Sequence, residues 1–587
     1  MKDLEKTNVE RMKIFKPSFD YAERNEEGIF SSFDPGNRVL HKGFRVDPKF
    51  KPLPVEIIFE KDVPVKLRDG VTIYVDIFRP SNSENVPALV AWSPYGKSGG
   101  TAPRTINLFN MLGLDNKMLS GLAKFEGPDP AYWCAQGYAV CNPDPRGIAY
   151  SEGDSSLIGR QEGKDCHDLI EWLAVQEWCN SKVGMTGTSY LAFSQWFTAA
   201  EQPPHLAAIN PWEGLSDAYR DLTTRGGMQD LNFTKRLQVN HAGKGKREDV
   251  YEEALQYPLA DNALWKDKIA RFDKIKVPVF VVASYSNTLH TAGTFRAWRR
   301  MASKEKWLRI HNTQEWPDYY TDENLEDLKK FFDYFLKDKD NEWDKTPRVR
   351  YAIHDFEGGD KVNIPADQFP PKDVKYEKAY LHGGMRTLVS ELSGKEIPVA
   401  YDAQGEVPFA SFIRQFDKET TMVGYPKVHL YVEAQETDDM DLFILLQKLD
   451  KHGNHLQQFV VPNQGAMMHD FTEQGGSVLR YKGSNGRLRV SARHLDEALS
   501  TDEVPAHSFD RIEKLKPGEI VPIEIDMYPI GMVFYPGEQM RLVISSKNDL
   551  GAIMPGTPGF KPDNKGKHTI HTGGAYPSYL QLPVKNP

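Results

Sequence analysis

The chain has 587 residues, 40% of them hydrophobic, 26% charged and 11% aromatic. This is the make-up of an ordinary globular protein, too long for one core at about 150 residues per domain, and it excludes disordered and collagen-like classes. A formal net charge of −9 repels a phosphate backbone, so no nucleic-acid partner is expected. The charged start, Met1-Lys-Asp-Leu-Glu-Lys-Thr7, lacks the apolar heart of a signal peptide. No run reaches the roughly 18 apolar residues that span a bilayer. The expectation is a cytoplasmic protein without membrane partners. Cys134, Cys141, Cys166 and Cys179 lack metal-type spacing and read as buried free thiols.

In chain order, residues 1–54 form a polar extension punctuated by Pro and Gly. From Val55 the alternation Val-Glu-Ile-Ile-Phe-Glu predicts a strand, turned back at Arg68-Asp69-Gly70 into a hairpin. Apolar runs at Pro87–Trp92, Tyr138–Asn142 and Val183–Gly187 predict buried parallel strands, with a helix carrying Leu169, Ile170, Leu173 and Val175 between the last two. That β-α-β order implies right-handed crossovers. Residues of about 213–272 carry charged helical patterns and predict a helical cap over the sheet. Strands resume at Val277–Val282 and Trp307–Ile310, and a helix over Asn324–Leu336 closes an α/β unit at about residue 345. From about Pro347, short alternating segments such as Val428–Val432, Leu442–Leu446 and Met540–Ile544 predict an all-β sandwich over 346–587.

Gly187-Thr188-Ser189-Tyr190-Leu191-Ala192 falls between a predicted strand and the helical Phe193–Ala200. A serine on such a turn is held with its hydroxyl exposed, the arrangement of a nucleophile elbow. Leu191 stands where the common G-x-S-x-G pattern has glycine.

The elbow resembles the G-x-S-Y-x-G segment of the cocaine esterase-like family, which includes X-Pro dipeptidyl-peptidases and α-amino acid ester hydrolases. Ser93-Pro94-Tyr95-Gly96, Asp144-x-Arg146-Gly147 and Ser151-x-Gly153 match it as well, as do Leu488–Ser491, Pro522–Asp526 and Tyr535–Glu538 in the C-terminal half. The resemblance covers roughly residues 55–575. It implies an α/β-hydrolase domain with a helical cap, followed by a C-terminal jelly-roll sandwich. By position it makes Ser189 the nucleophile, with the Tyr190 backbone N–H and the Tyr95 hydroxyl as oxyanion donors. Donors fixed on a developing alkoxide lower the barrier by several kcal/mol.

The family's triad acid and histidine positions hold Asn287 and Glu315 here, by an alignment anchored on Gly293-x-Phe295-x-Ala297-Trp298. Serine needs a base within hydrogen-bond reach. Because His290 lies three residues past Asn287, the expectation is an exchanged Ser189–His290–Glu315 arrangement, with His290 as base and Glu315 fixing its tautomer. His311 is the alternative base, with Asp318 and Asp144 as alternative carboxylates; His290 as a plain helix cap and Glu315 as a surface carboxylate are the structural readings.

Elsewhere, Asp438-Asp439-Met440-Asp441 lacks the EF-hand pattern and reads as a turn before a strand. The pairs His568/His571 and His452/His455 lack metal-site company and read as solvated loop histidines. Gly99-Gly100 and the loop to Pro128 read as a flexible edge of the site, not a phosphate cradle. No metal and no cofactor is expected. The function expected is hydrolysis of an ester or amide of a small organic molecule through an acyl-serine; the alternative is a hydrolase-fold protein that binds a small molecule, or does other chemistry, without serine acylation. Homo-oligomers are compatible with either.

Overall fold

The computed structural model describes residues 8–20, 32–82, 84–97, 99–460, 477–554 and 557–586; the charged Met1–Thr7 segment lies outside them. Its N-terminal half is built on one eleven-stranded sheet. In chain order the strands are β1 (Gly36–Leu40), β2 (Ile57–Lys66), β3 (Thr72–Pro80), β4 (Val86–Val90), β5 (Ala139–Asp144), β6 (Cys179–Thr188), β7 (Leu206–Trp212), β8 (Val279–Ser284), β9 (Lys306–His311), β10 (Val349–Ile353) and β11 (Lys361–Ala366). Their spatial order is 11-10-9-8-7-6-4-5-3-2-1. The seven strands from β5 to β10 run parallel, while β1–β3 and β11 add antiparallel edges.

The central strands β4, β5 and β8 are buried along their whole length, as the continuous apolar runs require of strands covered on both faces. Helix α1 (Arg160–Ala174) buries Leu169, Ile170 and Leu173 against the sheet, and α2 (Tyr190–Ala200) is buried at every residue. Helix α5 (Asp322–Lys337) follows α3 (Thr291–Arg300) and the short α4 (Glu315–Tyr319); it starts at Thr321, whose side chain accepts from Asn324 N–H, and buries Leu325, Leu328, Phe331, Phe332 and Leu336.

Between β7 and β8, residues 213–272 carry short helices at Ala218–Thr223, Asn232–Gln238, Val250–Gln256 and Ala263–Asp267. The N-terminal extension is tied to this insertion: Phe15–Pro17 pairs antiparallel with Lys246–Glu248, and Ile14 N–H donates to Glu253 Oε1 at 2.9 Å. Gly36–Leu40, also inside the extension, becomes the edge strand β1.

Strands β10 and β11 extend the hydrolase sheet past residue 345, where the sequence suggests the second unit begins. Short alternating strands carry the same pattern whichever sheet they join. Beyond them the chain is β-rich, with long strands at Lys427–Ala434, Asp441–Leu449 and Gln539–Ser545. Asp441 opens its strand paired with Arg489 at 2.7 and 2.8 Å, as a turn-before-strand reading implies. The solvated reading of the His568/His571 pair fails: both lie buried on the strand Lys567–His571, with His571 Nε2 2.8 Å from Glu433. A strand's inward positions bury a histidine once a partner is in reach, which two isolated letters do not reveal.

All four cysteines are free and buried. Among the described residues no helix is long and apolar enough to cross a membrane.

Candidate active site

Strand β6 ends at Thr188 and α2 begins at Tyr190, so Ser189 alone makes the turn. Its backbone sits at φ 59°, ψ −117°, a strained conformation for a residue with a Cβ. The strain is held from both sides: Ser189 N–H donates to Glu213 O at 2.8 Å, and Thr188 N–H to Glu126 O at 3.1 Å. Gly187 has φ +137°, and a Cβ there would meet Leu191 Cβ at 2.7 Å. Leu191, in the place of the pattern's second glycine, thus packs on the first.

Tyr190 N–H belongs to the first turn of α2, where backbone donors have no intrahelical acceptor and the helix field favours negative charge. The Tyr190 hydroxyl donates to Glu162, at 2.9 Å from both oxygens, and the Tyr95 ring stands edge-on to Tyr190 with centroids 5.8 Å apart. The two sequence-predicted oxyanion residues are therefore neighbours. The loop of Tyr95 is anchored from beneath by Lys124, whose buried amine donates to Ser93 O at 2.8 Å and Pro143 O at 2.5 Å.

Three buried carboxyls surround the elbow: Glu126, Glu213 and Glu315. Glu126, from the Gly99–Pro128 loop, accepts from Trp316 Nε1–H at 2.9 Å, and the Ser189 side chain is near enough to favour its charged form, while Oε2 keeps no well-aligned bond. Burial pushes its pKa well above the ordinary carboxylate range, and the Trp316 and Ser189 contacts oppose that only in part. Glu213 accepts from Ser284 Oγ at 2.8 Å and lies 2.7 Å from His311 Nε2. Glu315 is pushed well above the usual range by burial first, then by the charges of Glu213 and Glu126. Among the described residues no Lys or Arg pairs with these three. Sequence reasoning did not find Glu126 or Glu213; both have positive φ, at 68° and 54°.

His290 and Glu315, predicted partners, do come together, with Nδ1 3.5 Å from Oε1. Asn287 stands between them: its amide donates to His290 Nδ1 at 3.0 Å and to Glu315 Oε2. The amide cannot simply turn over, because Asn287 Oδ1 accepts from the backbone N–H of Leu289 at 3.0 Å and of His290 at 3.2 Å. Nδ1 is therefore an acceptor, and neutral His290 carries its proton on Nε2. Burial lowers the His290 pKa to about 3, so the ring is neutral at ordinary pH. Among the described residues no hydrogen bond joins His290 or Glu315 to Ser189.

The alternative residues have other partners. His311 serves Glu213 and Thr313; Asp318 serves Arg309 and Asn324; Asp144 sits in a buried cluster with Lys97, Asp62 and Asp76. One ligand atom each from Glu213, His290 and Glu315 lie within 4.8 Å of one another, close enough to hold a cation, although Asn287 already uses lone pairs on two of the three.

Residues 69–314 match the family model for the X-Pro dipeptidyl-peptidase (S15 family), and residues 341–581 the model for the X-Pro dipeptidyl-peptidase C-terminal non-catalytic domain. A crystal structure of a CocE/NonD family hydrolase from Staphylococcus aureus is similar over 94% of this chain and 98% of its own, with 33% identity and a TM-score of 0.85. An aminopeptidase from a marine sediment archaeon, Thaumarchaeota archaeon, shares the fold over 93% of this chain and 99% of its own at 15% identity and a TM-score of 0.67. Cocaine esterase of Rhodococcus sp. (strain MB1 Bresler) is 33% identical over 159 residues, 27% of this chain and 24% of that protein. The matches to curated relatives of this kind span about a quarter of their length.

Proposed function

This chain belongs to the CocE/NonD family of hydrolases, and we propose that it cleaves an ester or amide bond of a small organic substrate through an acyl-Ser189 intermediate. One observation carries the reading: a strained serine at a helix N-terminus with its hydroxyl against a buried carboxyl of raised pKa. Ser189 Oγ attacks the substrate carbonyl while Glu126 takes the hydroxyl proton. The oxyanion is received by Tyr190 N–H and the Tyr95 hydroxyl. The intermediate collapses, the departing alcohol or amine takes the proton from Glu126, and water, giving a proton to the same carboxylate, then attacks the acyl-serine; as that second intermediate collapses, Glu126 returns the proton to the leaving Ser189 Oγ. A carboxylate with a raised pKa is a better base near neutrality than an ordinary one.

A second reading, favoured by the 3.5 Å approach of His290 to Glu315, is the exchanged Ser189–His290–Glu315 arrangement. It requires His290 to move its proton from Nε2 to Nδ1, displacing Asn287.

Covalent labelling with a fluorophosphonate separates these readings. Labelling that vanishes in Ser189→Ala and falls sharply in Glu126→Gln, but persists in His290→Ala, supports the first. Collapse in both His290→Ala and Glu315→Gln supports the second. A native protein that neither labels nor turns over p-nitrophenyl esters overturns both, leaving small-molecule binding without acylation.

A further inference from the structure

A cavity of about 250 Å³ lies where the insertion, α3 and the C-terminal β-rich half meet. It shares no lining residue with Tyr95, Glu126, Ser189, Glu213, His290 or Glu315. Six arginines line it (Arg220, Arg225, Arg296, Arg299, Arg300 and Arg487), against two aspartates, Asp221 and Asp526. Three are already neutralised: Arg220 by Asp217 at 2.8 Å, Arg296 by Asp221 at 2.5 Å, and Arg225 by Asp230.

Arg487 is not. Its side chain is only 12% exposed, yet among the described residues it donates no hydrogen bond; its nearest carboxylate, Asp230 at 3.9 Å, already serves Arg225. Burial and the Arg225 charge lower its pKa to about 10, and Tyr528 and the distant Asp230 oppose that only in part. Arg299 and Arg300 add two exposed guanidiniums at the mouth, stacked on Tyr425 and Phe272 instead of a carboxylate. The opposite wall is apolar, with Leu289, Ala292, Val504, Ala506 and Phe509.

We propose that this cavity binds a small organic anion, a carboxylate or phosphate on an apolar body, with Arg487 as its deep charge partner. A buried cation without a close counter-charge is costly to hold, and a ligand anion would supply one. A planar guanidinium fork suits either oxyanion, and the volume fits a body about the size of one aromatic ring. The site bears on the turn that holds His290: Leu289 is in its wall, and Tyr528, another lining residue, donates its hydroxyl to Thr288 O at 2.9 Å. Occupancy thus reaches the active site through residues 288–290. Binding itself does not rest on the hydrolase reading.

The test is calorimetric titration of the full chain with benzoate, phenyl phosphate, inorganic phosphate and the neutral isostere benzamide. Expected is binding of benzoate or phenyl phosphate, with the stronger identifying the headgroup, at least tenfold weaker binding of benzamide and of inorganic phosphate, and at least tenfold loss in Arg487→Met. The unliganded Arg487→Met protein should melt no lower than the native one, since a structural role would lower it. Leu289→Trp, which fills the cavity while keeping the charge, should lose binding too. No binding of either organic anion at millimolar concentration, or equal binding to Arg487→Met, overturns the proposal.

Discussion

The side chain of Asn287 donates to His290 Nδ1 at 3.0 Å, so this residue imposes the opposite tautomer from the one a carboxylate in its place would. A carboxylate accepts Nδ1–H and leaves Nε2 free as a base; this amide does the reverse.

Nitrogen NMR of the unliganded protein is therefore expected to show His290 protonated at Nε2 and bare at Nδ1. In Asn287→Asp the pattern should reverse, and fluorophosphonate labelling of Ser189 should quicken. Unchanged ring nitrogens in that variant would remove the tautomer argument.

The pH–rate profile of ester cleavage should rise as Glu126 ionises. Its pKa is raised, so the ascending limb is expected above the ordinary carboxylate range, not near pH 4. Glu126→Gln should lower kcat/KM by about 10²-fold or more and abolish that limb.

Tyr95→Phe removes the proposed oxyanion donor without emptying the packing against Tyr190 and Phe125. A fall in kcat of about 10²-fold with little change in KM is expected, read from steady-state kinetics.

Glu162, beneath Tyr190, has its pKa raised by burial from the ordinary carboxylate range to about 8. The folded state therefore binds this proton more tightly than the unfolded chain. Its contribution to stability is full below about pH 4.5 and is lost as pH rises through about 8. Glu162→Gln should flatten that decline, measured as urea midpoints between pH 5 and 9.

The parallel strands and the elbow were legible because apolar runs, helical spacing and Gly187 are local signals. Thr188–Tyr190 needs only its neighbours to announce a strand–turn–helix. Glu126 lies 63 positions earlier in a loop with no periodicity, and a left-handed backbone, not a motif, brings it to the elbow. Lys124-Phe-Glu-Gly-Pro128 does carry turn-forming residues, a signal that a tight bend was there, but none for where its side chains point. Asn287 could be read as a missing acid, whereas its amide orientation is set by two backbone N–H groups that only the folded turn supplies. The arginine cavity joins residues as far apart as Arg220 and Tyr528, beyond any local pattern.

Because Val349–Ile353 and Lys361–Ala366 complete the hydrolase sheet, the two halves of this chain are not separable at their apparent seam. A fragment ending at residue 345 would expose the backbone donors and acceptors of Lys306–His311 along a raw edge, inviting intermolecular pairing. A catalytic fragment for expression would have to run past Ala366. The same geometry means that recombination between relatives keeps all eleven strands from one parent only when the crossover falls after that strand.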